Sequence, residues 1–157
     1  LAKVSIIKAT AAHAEYIAKN VRDADKQEIW AIAMRNPEEA MLNGIEISDK
    51  SFTGMVDGVP VCMWGIVEQS IIGPVGTPWM IASNKLDQYA KLFIRQCKKR
   101  AHKYFSAYGL LENYIDTRNT KAIQWLKWLG FSVEDVSSPY GALGMPFHRF
   151  TMGAKNV

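Results

Sequence analysis

The sequence predicts a single α/β domain, a mixed β-sheet with helices packed on it. Three observations carry that expectation. Short β-rich runs alternate with helically spaced apolar residues along all 157 residues. Asp57-Gly58 separates two extended runs, the strongest short-range hairpin signal. A long amphipathic stretch from Lys85 to Tyr108 is then followed by a strand and a shorter helix.

Val4 to Ala9 is β-rich and ends at Thr10, a helix N-cap residue type. From Ala11 to Arg22, Ala14, Ile17, Ala18 and Val21 recur at helical spacing, and Ile29, Trp30, Ala33 and Met34 mark a second helical face. Asn36-Pro37-Glu38-Glu39 restarts a helix: Asn caps, Pro takes the first position, Glu reaches back, and Gly44 is expected to close it. Phe52–Val56 and Val59–Val67 are the two arms of the hairpin. Gly73-Pro74-Val75-Gly76 reads as a turn, and Trp79-Met80-Ile81-Ala82 as a strand. In the long helix, Leu86, Ala90, Phe93, Cys97, Ala101, Tyr104 and Tyr108 form one apolar stripe, with Gly109 as its C-cap. Leu110 to Arg118 is a strand. Thr120 to Leu129 is a helix with Ala122, Trp125, Leu126 and Leu129 on one face, ended by Gly130-Phe131. Strand-like pieces around Ser132–Val136 and Phe147–Met152 complete the order β-α-α-β-β-β-α-β-α-β-β.

Composition narrows the class. With 48% apolar and 22% charged residues, the chain has the material for one core and is not disordered. Its net charge of +4 is concentrated: Lys85, Lys91, Arg95, Lys98, Lys99, Arg100 and Lys103 against the single acid Asp87 make that segment +6, leaving the remainder at −2. Cys62 and Cys97 sit among apolar neighbours and read as buried free thiols of a reducing compartment. The three histidines have no metal-ligand spacing. No signal peptide is legible and no run is suited to cross a membrane, so a soluble protein is expected. Neither repeats nor linkers divide the chain; residues 1–157 form one domain.

The segment from Asp116 to Phe131 carries more. Asn119 opens a helix, Ala122 follows three residues on, and Gly130-Phe131 ends it. This resembles the motif of the GNAT superfamily of acyl-CoA N-acyltransferases, and the element order is similar over nearly the whole chain. The resemblance implies a GNAT-like α/β fold with a mixed central sheet flanked by helices. It also implies acetyl-CoA as cofactor, with Ile81, Ser83, Asn84, Lys85 and Asn119 as cofactor-binding positions. Trp79-Met80-Ile81, the Phe93-Ile94-Arg95 helix, Asn113-Tyr114-Ile115-Asp116, Trp125 to Phe131 and Phe147-His148-Arg149-Phe150 are further similar to a small group of GNAT-like proteins of tailed bacteriophages, some of them internal virion or assembly-type proteins and others assigned only as acetyltransferases. That likeness implies host cytoplasm or virion as the location.

The sequence departs from the family pattern at two places. Active members carry a glycine-rich turn before the long helix, whose backbone N–H groups hold the cofactor pyrophosphate. Here the junction is Ile81-Ala82-Ser83-Asn84-Lys85-Leu86-Asp87-Gln88, with no glycine and with an acid near the phosphate position. Many members also have a Tyr seven residues after the helix-opening Asn, protonating the leaving thiolate; here it is Leu126. Ser83 or Asn84 as cap and Lys85 as cation leave some anion affinity, but weak acetyl-CoA binding is expected.

Glu68 and Glu112, with Asp116, are candidate catalytic bases by strand-end placement. Asn119 is equally an N-cap, and Trp125, Trp128 and the Met63-Trp64 pair read as core. The cations from Lys91 to Lys103 form a solvated face, a face for an acidic partner, or a seat for the CoA 3′-phosphate. Nucleic acid is disfavoured, because Tyr104 and Tyr108 fall on the apolar stripe rather than beside the charges. Three functions follow. The favoured one is a phage GNAT-fold protein with degenerate acyl-CoA motifs, serving assembly or binding a protein partner or virion component. The alternative is an active acetyl-CoA-dependent N-acetyltransferase, its amine entering from the Pro74–Thr77 side. The third is a basic module docking nucleic acid. Phe147–Met152 is a candidate homodimer strand.

Overall fold

The computed structural model describes residues 1–69 and 75–153. In chain order its elements are β1 (Val4–Lys8), α1 (Ala11–Ala18), α2 (Asp23–Ala33), α3 (Pro37–Ile47), β2 (Lys50–Val56), β3 (Val59–Glu68), β4 (Val75–Ala82), α4 (Leu86–Phe105), β5 (Leu110–Asp116), α5 (Thr120–Leu129), β6 (Ser132–Tyr140) and β7 (Met145–Gly153). The strands form one seven-stranded sheet in the order β1-β2-β3-β4-β5-β7-β6. Neighbours are antiparallel except β4 and β5.

Local chemistry sets the boundaries. The Thr10 hydroxyl accepts the His13 N–H while His13 Nδ1 accepts the Thr10 N–H, a reciprocal cap on α1. The Asn36 side chain accepts the Glu39 N–H at 2.9 Å at the start of α3. Asp57 and Gly58, at φ 51 and 77, make the tight β2–β3 turn, where a residue without Cβ suits the left-handed backbone. Gly130, at φ 105, ends α5 in the left-handed region.

The helices cover both faces of the sheet. On one face Ala14, Ile17 and Met41 pack with Met63 and Ile81. On the other, Leu86, Ala90, Phe93, Phe105 and Trp125 pack with Val61, Ile66, Leu111 and Ile115. Each fully buried aliphatic or aromatic side chain contributes about 1.5–3 kcal/mol.

Several boundaries differ from the sequence expectation. Three helices precede β2: the one restarted at Asn36-Pro37 stands as a helix of its own, α3, where the expected element order counts two. Helix α1 stops at Ala18, since Val21 leaves it to bridge Ser83. Gly44 does not close α3: the helix continues to Ile47, and Gly44 provides room, for a Cβ there would lie 2.5 Å from the Trp79 indole. Val75 and Gly76 are strand rather than turn, pairing with Leu110 and Leu111; Gly73 and Pro74 lie outside the described residues. Helix α4 ends at Phe105 with Ser106 as its cap, not Gly109. Trp128 is exposed, with the Lys91 ammonium 5.9 Å from its ring centroid, while Trp125 is core as expected. Strand β7 lies between β5 and β6, so both edges of Phe147–Met152 are paired within the chain.

Candidate active site

Strands β4 and β5 start side by side at Val75–Leu110 and Gly76–Leu111 and pair no further. Beyond that point they part, and a cavity of about 420 Å³ opens between them. Its walls come from both faces of the sheet: Leu86, Ala90, Ala122 and Trp125 on the α4–α5 side, Glu28, Ile29, Gly44 and Trp79 on the α2–α3 side. The cleft therefore connects the two faces through the split sheet. Two ligands approaching from opposite faces would meet inside it.

The β4 edge facing this split is largely satisfied within the chain. Ser83 N–H bonds to Val61 C=O and Gln69 N–H to Val75 C=O, which fixes the phase of the β3–β4 ladder. Odd-numbered β4 residues then address β3, and even-numbered ones address the split. Of these, Pro78 has no N–H, and its carbonyl accepts the Asn113 amide at 2.7 Å. Ala82 donates to Asp25 Oδ2 at 2.8 Å and accepts from the Arg22 N–H at 3.0 Å. Met80 keeps its N–H and C=O toward the cleft.

The start of α4 is occupied in the same way. Leu86, Asp87 and Gln88 N–H groups bond back to Ser83, Asn84 and Lys85 carbonyls, and Asn84 N–H bonds to Asn20 C=O. Contrary to expectation, neither Ser83 nor Asn84 caps the helix; the Ser83 hydroxyl is buried without a partner.

Arg22, just ahead of α2, organises the polar end of the cleft. Its Nη1 donates to Asp25 Oδ1 at 2.7 Å and to Asn119 Oδ1 at 3.2 Å, and its Nε to Asp87 Oδ1 at 3.1 Å. The guanidinium carbon lies 4.5 Å from the Trp125 ring centroid. Asn119 Nδ2 closes the ring by donating to Asp25 Oδ1 at 3.1 Å. Asn119 sits at the N-cap position of α5 but caps nothing with its side chain; the capping role read from the sequence is replaced by these bonds. Lys121, on the first turn of α5, reaches Asp87 Oδ2 at 3.5 Å. Arg22 and Asp25 are both buried, so the ring holds a desolvated ion pair in which both carboxylate oxygens of Asp25 are hydrogen-bonded.

Glu28 is the carboxyl that lines the cleft itself. It is one turn along α2 from Asp25, and its Oε1 accepts the Asp116 N–H at 2.8 Å. Burial, reinforced by the nearby Asp25 and Asp116 carboxylates, pushes its pKa up to about 8. It can accept or release a proton near neutral pH.

The residues proposed from sequence fall in separate places. Ile81 lines the cleft, as does Asn119. Ser83 is buried beside it, while Asn84 and Lys85 are exposed at the α4 start. Glu68 is exposed at the end of β3, and Glu112 pairs with Arg149 in the sheet; neither lines the cavity. Asp116 is buried and holds the Arg118 side chain and N–H. Thr77 lines the cavity, whereas Pro74 lies outside the described residues. Leu126, in place of an acid, also lines it. The sequence reading missed Arg22, Asp25 and Glu28. A signal existed: Asp25, Glu28, Ile29 and Ile32 recur at i, i+3, i+4, i+7, which places two acids on the apolar face of α2.

Among the described residues no helix is long and apolar enough to cross a membrane. No family model and no curated protein matches the sequence. Solved structures do match the fold. An acetyltransferase of the GNAT family from Streptococcus pneumoniae superposes with a TM-score of 0.61 at 16% identity, over 96% of this chain and 98% of that one. The spermidine N-acetyltransferase of Vibrio cholerae, in complex with CoA and spermine, gives 0.65 at 11% identity, covering 95% and 94%. The ribosomal-protein-S5-alanine acetyltransferase of Vibrio fischeri gives 0.65 at 15%, covering 98% and 94%. The split seven-stranded sheet and its flanking helices are those of the GNAT acetyltransferase fold.

Proposed function

We propose that the chain is an acyl-CoA-dependent N-acyltransferase working through the cleft between β4 and β5. The observation that carries this reading is the two-residue pairing of those strands, which leaves a passage through the sheet with the Glu28 carboxyl inside it. The donor supplies an activated thioester. Met80 offers its N–H and C=O to the amide-bearing arm of such a donor, and the narrow split orients it. Glu28, ionised above about pH 8, takes the proton that the attacking amine must lose, a role matched to its raised pKa. Leu126 has no proton to give, so the departing thiolate takes its proton from Glu28 or from water.

The donor's phosphate end fits less freely. No glycine turn is present, the first N–H groups of α4 are bonded internally, and Asp87 places a carboxylate there. Binding weaker than that of a glycine-turn enzyme is expected. Calorimetry with acetyl-CoA and CoA, and thiol release from acetyl-CoA in the presence of primary amines, test the proposal. Saturable binding with amine-dependent release supports it; absence of both in the wild type and in Asp87→Asn overturns it.

A second reading, a non-catalytic assembly or partner-binding role, draws on one observation: the Ala82 edge that a donor arm could pair with is already filled by Arg22 and Asp25. The bacteriophage attribution rests on sequence likeness alone and gains nothing from the structural comparisons. For that reading the Lys91–Lys103 face is the natural contact for an acidic partner.

A further inference from the structure

We infer that the acceptor half of the cleft is built for a single primary amine carried on a flat, apolar, aromatic body. This rests on the acyl-transfer reading for what happens to the amine, but the shape and chemistry of the subsite stand on their own.

Three aromatic side chains line the cavity on the α2–α3 side, and each is held in place. Trp79 donates its indole N–H to Ser48 Oγ at 2.7 Å and lies against Gly44 of α3, where a Cβ would come within 2.5 Å of the ring. Tyr114 and Tyr140 stack with centroids 4.3 Å apart and an interplanar angle of 19°. Tyr140 is fixed in turn, because the adjoining hairpin tip is docked on the end of α2: Ala142 and Leu143 N–H groups bond to the Ile32 and Ala31 carbonyls. Ile29 and Ile47 complete an apolar lining. Rigid aromatic walls of this kind favour a planar guest by stacking and edge contacts.

Charge in the subsite admits one ammonium and no second. Of the ionisable groups lining the cavity, Asp25 has both carboxylate oxygens taken by Arg22, Asn119 and the Ala82 N–H. Glu28 is the remaining carboxyl. Arg35, exposed at the rim of the same cavity, repels any further cationic group. A polyamine would place its additional ammonium groups against apolar walls or against Arg35. With Glu28 ionised, an arylalkylamine places one ammonium at that carboxylate and its ring between Trp79 and Tyr114.

Calorimetry with β-phenylethylamine, butylamine and spermidine, without any acyl donor, tests the subsite directly. The expected result is binding of β-phenylethylamine at least tenfold tighter than either of the others. Tyr114→Ala lowers that affinity about tenfold and leaves butylamine unaffected, while Tyr114→Phe retains it, which separates stacking from loss of fold. Tighter binding of spermidine, or no saturable binding of β-phenylethylamine, overturns the inference. Phenylethylamine binding without acetyl transfer in the presence of acetyl-CoA upholds the subsite and counts against the acyltransferase reading. Transfer to spermidine in preference to phenylethylamine does the reverse.

Discussion

Replacing Asp87 by Asn should tighten the binding of acetyl-CoA rather than weaken it. Asp87 is partly exposed, its side chain 28% accessible, and it bridges the buried Arg22 guanidinium at 3.1 Å and the exposed Lys121 ammonium at 3.5 Å. On the acyltransferase reading, a donor entering between the starts of α4 and α5 brings its phosphates toward these two cations. The carboxylate occupies them as an anionic ligand already covalently in place. A donor phosphate about 6 Å from that carboxylate, at an effective dielectric of about 40, meets a repulsion of ~1.4 kcal/mol, a factor of about ten in affinity. Asn keeps the shape and a hydrogen-bonding oxygen while removing this charge.

The cost to stability is small. Arg22 retains Asp25 and Asn119, and a pair as open to solvent as Lys121–Asp87 is worth about 0–1 kcal/mol. Calorimetric titration of the wild type and Asp87→Asn with acetyl-CoA, at low and at moderate salt, reads the effect. The expected outcome is an approximately tenfold lower Kd for the variant, with the gain shrinking as salt screens the repulsion. Lys121→Ala should weaken binding in both backgrounds. An Asp87→Asn protein that binds acetyl-CoA no better than the wild type would mean that the donor's phosphates do not come within reach of Arg22 and Lys121.

Two further outcomes follow from the same cluster. Arg22→Ala leaves the Asp25 carboxylate buried with only the Asn119 amide and the Ala82 N–H, so chemical denaturation should show a loss of about 3–5 kcal/mol, partly recovered in the Arg22→Ala/Asp25→Ala double variant; full additivity of the two losses would refute the pairing. Glu28 has a folded pKa of about 8 against an ordinary 4.5, so the folded state binds the extra proton between those values and loses stability as pH rises through them. The groups facing Glu28 are Asp25, Asp116 and Asn119, with Arg22 behind Asp25. Thermal melts of Glu28→Gln from pH 5 to pH 8.5 should lose that part of the pH dependence; an unchanged profile places the titration elsewhere.

What the sequence made legible is what neighbouring residues decide. Asp57-Gly58, the Thr10 and Asn36 caps, and the Thr120–Leu129 helix with its Gly130 end all rest on contacts within a few positions, and each stands where expected. Gly44 and Val75-Gly76 depart from the expectation because a glycine serves close packing as readily as it ends an element. In the fold, Gly44 makes room for an indole 35 positions on, and Gly76 lies within a strand where Ile66, Tyr108 and Leu111 crowd in. The stretch Asp23-Ala24-Asp25-Lys26-Gln27-Glu28 has the composition of a solvated first turn. Only contacts across the chain turn one side of it into the cleft: Arg22 to Asn119 is 97 residues apart and Glu28 to Asp116 is 88. Composition cannot report such pairings; the periodic placement of two acids beside Ile29 and Ile32 can.

The glycine-free junction and Asp87 take on a different meaning once Arg22 is seen beside them. From the sequence, Asp87 was a charge that repels phosphate at a turn unable to hold it. In the fold it is the counter-ion of an arginine from the α1–α2 segment, and that same arginine seals the Ala82 edge through its own N–H. Cation and carboxylate therefore act as a pair. A turn built of glycines offers phosphate a set of backbone N–H groups; here those groups are bonded within the chain, and the available positive charge is on side chains instead. Removing Asp87 does more than relieve a repulsion, because it also releases Arg22 and Lys121 toward an incoming anion. Removing Arg22 leaves Asp25 and Asp87 together without their common counter-ion. The two substitutions must move donor affinity in opposite directions if the side-chain cations hold the phosphates, and in the same direction if the cluster only braces the fold.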